Sequence, residues 1–234
     1  MSDEIVNRTP IYDVAAQTGA TFAQAAGWQV VDAFDGVEVA LAQDAIGLAD
    51  RSARARVLVE GANAMALIER AWGVSQFPIN GGAAIERGAI FCLRPDRFLL
   101  SGPPGSRQAF VAESEDAVHD EDGLVAVTDV THGRAELWLI GHLAPDLLSR
   151  LCGLDLHPQV FPNLTARETS VAKTAQLVIR RDVGGMPVYA IAGARSFGAY
   201  LWRTIVAAAH DIPLQLCGER NLRALENKEP YASS

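Results

Sequence analysis

Gly61-Ala-Asn-Ala-Met-Ala-Leu-Ile-Glu-Arg-Ala-Trp-Gly73 lies without a gap over Gly141-His-Leu-Ala-Pro-Asp-Leu-Leu-Ser-Arg-Leu-Cys-Gly153, 80 residues further along the chain. Five of the thirteen positions are identical: Gly61/Gly141, Ala64/Ala144, Leu67/Leu147, Arg70/Arg150 and Gly73/Gly153. Chance at ordinary residue frequencies gives about one. Each copy follows an apolar run, Arg56-Val-Leu-Val-Glu-Gly61 or Glu136-Leu-Trp-Leu-Ile-Gly141, and each begins near an aspartate, Asp50 or Asp129. The pattern predicts a strand ending at the first glycine. A short helix then buries Leu67 and Ile68, or Leu147 and Leu148. Pro145 suits a first helical turn, and Gly73 and Gly153 suit the left-handed position after a helix.

Outward from this repeat, a second correspondence is weaker. Arg97-Phe-Leu-Leu-Ser-Gly102 followed by Ser106 parallels Val188-Tyr-Ala-Ile-Ala-Gly193 followed by Ser196. The serines are candidate N-caps, and Tyr200, Leu201, Ile205 and Ala208 mark a helix over about 197–210. Tyr200, Leu201 and Trp202 cannot all face one way, so one of them should be exposed or cover a partner. Gly184-Gly185 sits where a hairpin turns. Each half reads strand, helix, strand pair, helix, an α+β duplication rather than a βαβ nucleotide fold. We expect one domain over 1–234, with pseudo-repeats at about 36–118 and 123–226.

The chain has 234 residues, 49% hydrophobic and 21% charged, with a formal net charge of -8. The balance is that of a globular protein. Without a basic patch it opposes a nucleic-acid partner, whose phosphates need cations. The start, Met-Ser-Asp-Glu-Ile-Val-Asn-Arg, is no secretory signal. Apolar runs such as Ile205–Ala209 are far short of the roughly 20 residues of a membrane span. Three scattered cysteines, Cys92, Cys152 and Cys217, fit a reducing compartment. A cytoplasmic location with no membrane partner is therefore expected.

Several stretches carry a family resemblance. Tyr12, Ala26-Gly27-Trp28, Gly36-Val-Glu-Val-Ala-Leu-Ala-Gln-Asp-Ala-Ile-Gly-Leu-Ala-Asp50-Arg-Ser52 and Val59-Glu-Gly61 resemble the start of a glycine-cleavage T-protein, the aminomethyltransferase. Asp96-Arg97-Phe-Leu-Leu100, Leu154-Asp-Leu-His-Pro158 with Phe161-Pro162, and Arg195-Ser-Phe197 with Tyr200-Leu-Trp202 look more like the gamma subunit of heterotetrameric sarcosine oxidase. The segment Gly218-Glu-Arg-Asn-Leu-Arg223 is again similar to a T-protein. The resemblance implies duplicated, swapped αβ repeats forming a T-protein-like folate-binding domain around a central channel. It implies this fold without the T-protein's extra C-terminal barrel.

The resemblance also implies where a folate would be held. In folate-dependent members an aspartate pair after a Gly-Gly-Ile stretch lies near the pterin, where carboxylates stabilise developing charge. The corresponding stretch here is Gly82-Ala-Ala-Ile-Glu-Arg-Gly-Ala89. With the register open by one residue, the pair becomes Glu86-Arg87 or Arg87-Gly88. The family's Tyr-Thr-Gly-Glu turn becomes Arg181-Asp-Val-Gly-Gly-Met-Pro-Val-Tyr189, without glutamates. Glu226 lies near the position of the family's pterin-holding glutamate. Glu226, Glu86 and Arg87 are thus the candidate cofactor contacts, and no catalytic or metal-ligating residue is assigned.

Other patterns carry less. No Gly-x-Gly-x-x-Gly follows a strand, which opposes FAD or NAD. The histidines lack metal-ligand spacing. Asp116, His119, Asp120, Glu121 and Asp122 read as a solvated acidic loop. Asp129-Val-Thr-His132 reads as a strand end with a turn, and Arg180-Arg181 as a solvated strand end. With the family's aspartate pair and turn glutamates missing here, the resemblance implies an accessory, gamma-like subunit that docks on flavin-containing amine oxidase or dehydrogenase subunits in N-demethylation. No cofactor is assigned, and tetrahydrofolate stays open. The alternatives are a folate-dependent aminomethyl or methyl transferase and a non-catalytic pterin-binding module.

Overall fold

The structure, a computed structural model, describes residues 6–119 and 123–227. An N-terminal layer comprises β1 (Asn7–Arg8), α1 (Tyr12–Gln17), β2 (Ala20–Ala25) and β3 (Trp28–Phe34). There follow β4 (Ile46–Asp50), β5 (Ala55–Gly61), α2 (Ala64–Trp72), β6 (Gly82–Ile85), β7 (Gly88–Arg94), β8 (Arg97–Gly102) and α3 (Arg107–Asp116). The second half brings β9 (Val125–Asp129), β10 (Arg134–Ile140), α4 (Ala144–Ser149), β11 (Thr165–Val171), β12 (Thr174–Arg180), β13 (Val188–Ala194) and α5 (Gly198–Ala208). β14 (Leu214–Cys217) and α6 (Glu219–Glu226) complete the described chain.

The two repeats exchange a strand. β5 and β10 each sit inside a sheet, in the orders β6-β7-β8-β5-β9 and β11-β12-β13-β10-β4-β14. β4, which precedes β5, pairs with β10, and β9, which precedes β10, pairs with β5. The registers match: Asp50 lies opposite Leu137, and Asp129 lies opposite Val57. The expected α+β fold with duplicated, swapped repeats is the one observed. Both central strands are mostly buried because both faces are covered, one face apolar and the other carrying the buried charges Arg56 and Glu136. The helices bury matching residues, Ala64, Leu67 and Ile68 on α2 and Ala144, Leu147 and Leu148 on α4. Burying each leucine contributes roughly 1.5–3 kcal/mol.

The helix ends differ. Gly73 is left-handed (φ 69°) and its amide donates to Glu69 O at 2.8 Å. Gly153 is not left-handed, contrary to expectation. α4 has already stopped at Ser149, and the amides of Arg150, Leu151 and Cys152 take carbonyls of Leu147 and Leu148. The glycine therefore falls beyond the cap. Ser106 occupies the N-cap of α3, but its hydroxyl makes no capping bond. Ser196 lies within a 3-10 turn, and Phe197 caps α5 instead. On α5, Leu201 and Trp202 are buried while Tyr200 is 44% exposed, its hydroxyl donating to Ala172 O at 2.9 Å. Gly184 and Gly185 both have positive φ between the mutually bonded Val183 and Met186, a tight hairpin turn that packs against Leu225 of α6.

One core lies between the six-stranded sheet, the N-terminal layer and helices α4 and α5. Another lies between the five-stranded sheet and helices α2 and α3. A third joins the two sheets through Leu58, Phe91 and Leu99 from one and Trp138, Ile179 and Ala190 from the other. Among the described residues no helix is long and apolar enough to cross a membrane.

Candidate functional site

The junction between the two sheets is built by two matching turns. After β4, the Ser52 amide donates to Asp50 Oδ1 at 3.1 Å; after β9, the Thr131 amide donates to Asp129 Oδ1 at 2.9 Å. Each hydroxyl then accepts the amide of a strand in the other repeat: Glu136 N to Ser52 Oγ at 3.1 Å, and Arg56 N to Thr131 Oγ1 at 3.0 Å. Arg56 and Glu136 thereby occupy equivalent places, and their side chains meet. Arg56 Nε and Nη2 donate to Glu136 Oε2 at 2.9 and 2.6 Å, with both residues 1% exposed.

Glu136 Oε1 accepts Trp138 Nε1 at 2.7 Å and lies 3.5 Å from Arg54 Nε. Burial alone would raise the Glu136 carboxyl, but the guanidinium groups of Arg56 and Arg54 hold it below its ordinary value. Burial pulls Arg54 down to about 9, with Glu136 opposing the shift. Arg51 and Arg54 cover the Trp138 ring at 5.0 and 5.2 Å from its centroid. Arg51 also reaches Glu219, at the start of α6, at 2.5 Å. Asp50, buried, is pushed up by desolvation against hydrogen bonds from Ser52 and Thr9.

Two cavities flank this network at equivalent positions. One, of about 570 Å³, is lined by Arg56, Leu58, Arg97, Leu99, Arg134 and Ala192, with Gln176 and Leu177 of β12 opposite. The other, of about 10 Å³, is lined by Glu136, Trp138, Val188, Ala190, Arg54 and Ser101. Strand register relates them, since Leu58 pairs with Leu99 as Trp138 pairs with Ala190. In the open cavity, burial and then the charges of Arg97 and Arg56 push the Arg134 guanidinium below its ordinary value. Arg97 is held by Glu60 at 3.1 Å and by Glu168 at 3.2 Å.

The expected contact residues lie apart from the open cavity. Glu86 and Arg87 form the exposed turn between β6 and β7, where Ile85 pairs with Gly88. Arg87 Nη1 reaches Glu113 of α3 at 2.5 Å. Glu226 is the exposed last residue of α6. Its charge is felt by Arg181, which lines the smaller cavity. About 10 Å³ there is room for roughly one water, so the cavity as it stands does not fit a pterin.

Arg180-Arg181 is no solvated strand end. Arg180 donates to Asp182 and to Phe161 O, while burial lowers Arg181. Asp129-Val-Thr-His132 is the expected turn, with His132 stacked on Trp28 at 5.0 Å. Asp120, Glu121 and Asp122 lie outside the described residues. Sequence reasoning passed over Arg54, Arg56, Arg134 and Glu136. A signal was present: charges inside apolar strand runs are rare unless paired. Among the described residues, no group of His, Cys, Asp and Glu could hold a metal.

A family model described as the GCVT N-terminal domain matches residues 11–232. Sarcosine oxidase subunit gamma from Corynebacterium sp. (strain P-1) is 37% identical over 97 residues, 42% of this chain and 46% of that subunit. The match thus spans about half the length of that relative. The crystal structure of glycine cleavage system aminomethyltransferase T from Bartonella henselae superposes with a TM-score of 0.79 at 22% identity, covering 94% of this chain and 62% of that one. Heterotetrameric sarcosine oxidase from Corynebacterium sp. U-96, in complex with pyrrole 2-carboxylate, gives 0.67 at 23% identity, covering 86% and 94%. These two likenesses establish the fold.

Proposed function

The chain belongs to the GCVT N-terminal domain family, and on that premise we propose that it is an accessory, gamma-like subunit of a heteromeric flavin-dependent amine oxidase or dehydrogenase acting in N-demethylation. The observation that carries this reading is the 37% identity to a sarcosine oxidase gamma subunit. The interior supports it. Arg54, Glu136 and Trp138 fill one of the two equivalent cavities with a closed ion-pair network, which favours holding the halves together over admitting a reactant. In this reading residues 1–234 act as one domain in the cytoplasm, and the partners are the flavin-containing subunits.

Co-expression with such subunits, followed by size exclusion and native mass spectrometry, tests the reading. A stoichiometric heteromer is expected; a chain that stays alone with no measurable affinity would sink it. A second reading places tetrahydrofolate, as binding module or transferase, beside Glu226, Glu86 and Arg87. It draws on the field of Glu226 at Arg181, and it requires the smaller cavity to open. Calorimetric titration with tetrahydrofolate separates the two readings. Micromolar binding that Glu226→Ala weakens would favour the second; no heat leaves the accessory role standing.

A further inference from the structure

We propose that the open cavity between β5 and β12 is a binding site for a small organic carboxylate carried on an apolar or aromatic body. Its volume, about 570 Å³, lies within the range of small-molecule sites. Leu58, Leu93 and Leu99, all buried, form its apolar wall. Three cations line it, Arg56, Arg97 and Arg134, against one acid, Glu168. That acid sits at the mouth with its side chain 57% exposed and already paired with Arg97. Arg56 is already paired with Glu136 and Arg97 also with Glu60, so the charge left over against this hydrocarbon wall is that of Arg134.

Three buried polar atoms of this lining make no hydrogen bond, Arg56 Nη1, Arg97 Nε and Gln176 Oε1; Arg97 Nε has the charge of Glu60 at 3.1 Å. Leaving such an atom unsatisfied is costly, and buried polar groups are ordinarily bonded. Arg56 is a donor already oriented by Glu136, which holds its Nε and Nη2 and leaves Nη1 over. Arg134 makes no ion pair among the described residues; burial and then the charges of Arg97 and Arg56 disfavour its charge, with Glu168 opposing, so an anion in the cavity would supply the partner it lacks. Gln176 leans on Gly193, where any Cβ would fall 1.9 Å from Oε1. Glycine there makes room for the amide, whose carbonyl suits a donor on the ligand. A hydrated inorganic anion would leave the leucine wall unused. A carboxylate on an apolar body satisfies both the arginines and the wall.

The site is independent of the assembly proposed above, and its test uses the isolated chain. The probes are indole-3-acetate, naphthalene-1-acetate, indole-3-acetamide and inorganic phosphate, titrated by calorimetry. Both acids should bind one per chain, and the amide and phosphate at least tenfold more weakly. Arg134→Gln should weaken the acids at least tenfold and leave the amide unchanged. Leu58→Trp, which places in this cavity the side chain that fills its counterpart, should abolish binding. Circular dichroism checks that both variants fold. No binding of either acid, equal binding of acid and amide, phosphate binding as tight as the acids, or acid binding unchanged in folded Arg134→Gln would each overturn the assignment.

Discussion

Between the two halves, the same strand positions enclose about 570 Å³ on one side and about 10 Å³ on the other. Leu58 faces the open cavity where Trp138 fills the closed one, Arg97 stands against Val188, and Leu99 against Ala190. Arg134 and Arg54 remain arginines on both sides, but only Arg54 has Glu136 beside it. The comparison teaches that the repeated backbone sets where a cavity forms, and a few side chains set whether it is kept. Between the cavities, equivalent positions carry opposite charges. Two arginines or two glutamates meeting there would repel; Arg56 and Glu136 bind each other.

The largest effect should come from breaking that pair. Glu136→Ala leaves Arg56 and Arg54 buried without a carboxylate, and we expect a loss of about 3–5 kcal/mol in denaturant unfolding. Reversing both charges, Arg56→Glu with Glu136→Arg, should be less damaging than either reversal alone; equal damage would mean that packing, not charge, joins the halves. Next, Trp138→Leu makes the closed side resemble the open one. It should cost about 3 kcal/mol, the order of large-to-small core changes, and open a cavity visible in a crystal structure of the variant. A loss below about 1 kcal/mol would mean that the surrounding arginines collapse into the space.

The pH response follows from the same network. The folded Glu136 carboxyl lies below its ordinary 4.5, so the unfolded chain binds the proton first. Its contribution is fully present above that ordinary value and is lost as pH falls through the folded one. Asp50 works in the opposite sense: its folded value is raised above 3.8, so between the two values stability rises as pH falls. Acid titration of unfolding free energy should therefore be flatter in Glu136→Gln than in the parent chain; identical slopes would remove Glu136 from the account. The smallest effect compares the helix ends. Gly73→Ala should cost about 1–2 kcal/mol, because φ there is 69°, while Gly153→Ala should stay within about 0.5 kcal/mol. Equal costs would mean that the two termini are more alike than their geometry.

Much of this was legible beforehand. The match of Gly61–Gly73 to Gly141–Gly153 gave the repeat, because identical spacing of small and apolar residues demands the same strand-turn-helix packing. The Gly184-Gly185 turn and the exposure of one of Tyr200, Leu201 and Trp202 were also readable, since φ freedom and helical spacing are local properties. The helix caps were less so: Gly153 looked like Gly73, but α4 ends sooner because its last carbonyls find partners before the glycine is reached. The expected folate contacts Glu86, Arg87 and Glu226 were placed by resemblance, and the fold puts the first two on a hairpin tip and the third at a helix end.

By itself the sequence determined that the protein is a duplicated α+β chain with an apolar strand and a short helix in each half. Local periodicity and glycine placement suffice for that. A swap was implied by the family resemblance and not by the residues' own pattern; the tertiary structure decided that β4 and β9 are the strands that change places, because a strand's partner depends on which sheet edge is free rather than on its own residues. It also decided that Arg56 and Glu136, 80 residues apart, share one buried contact. A charge in an apolar run announces a need for a partner, but only the crossing of the two repeats supplies it.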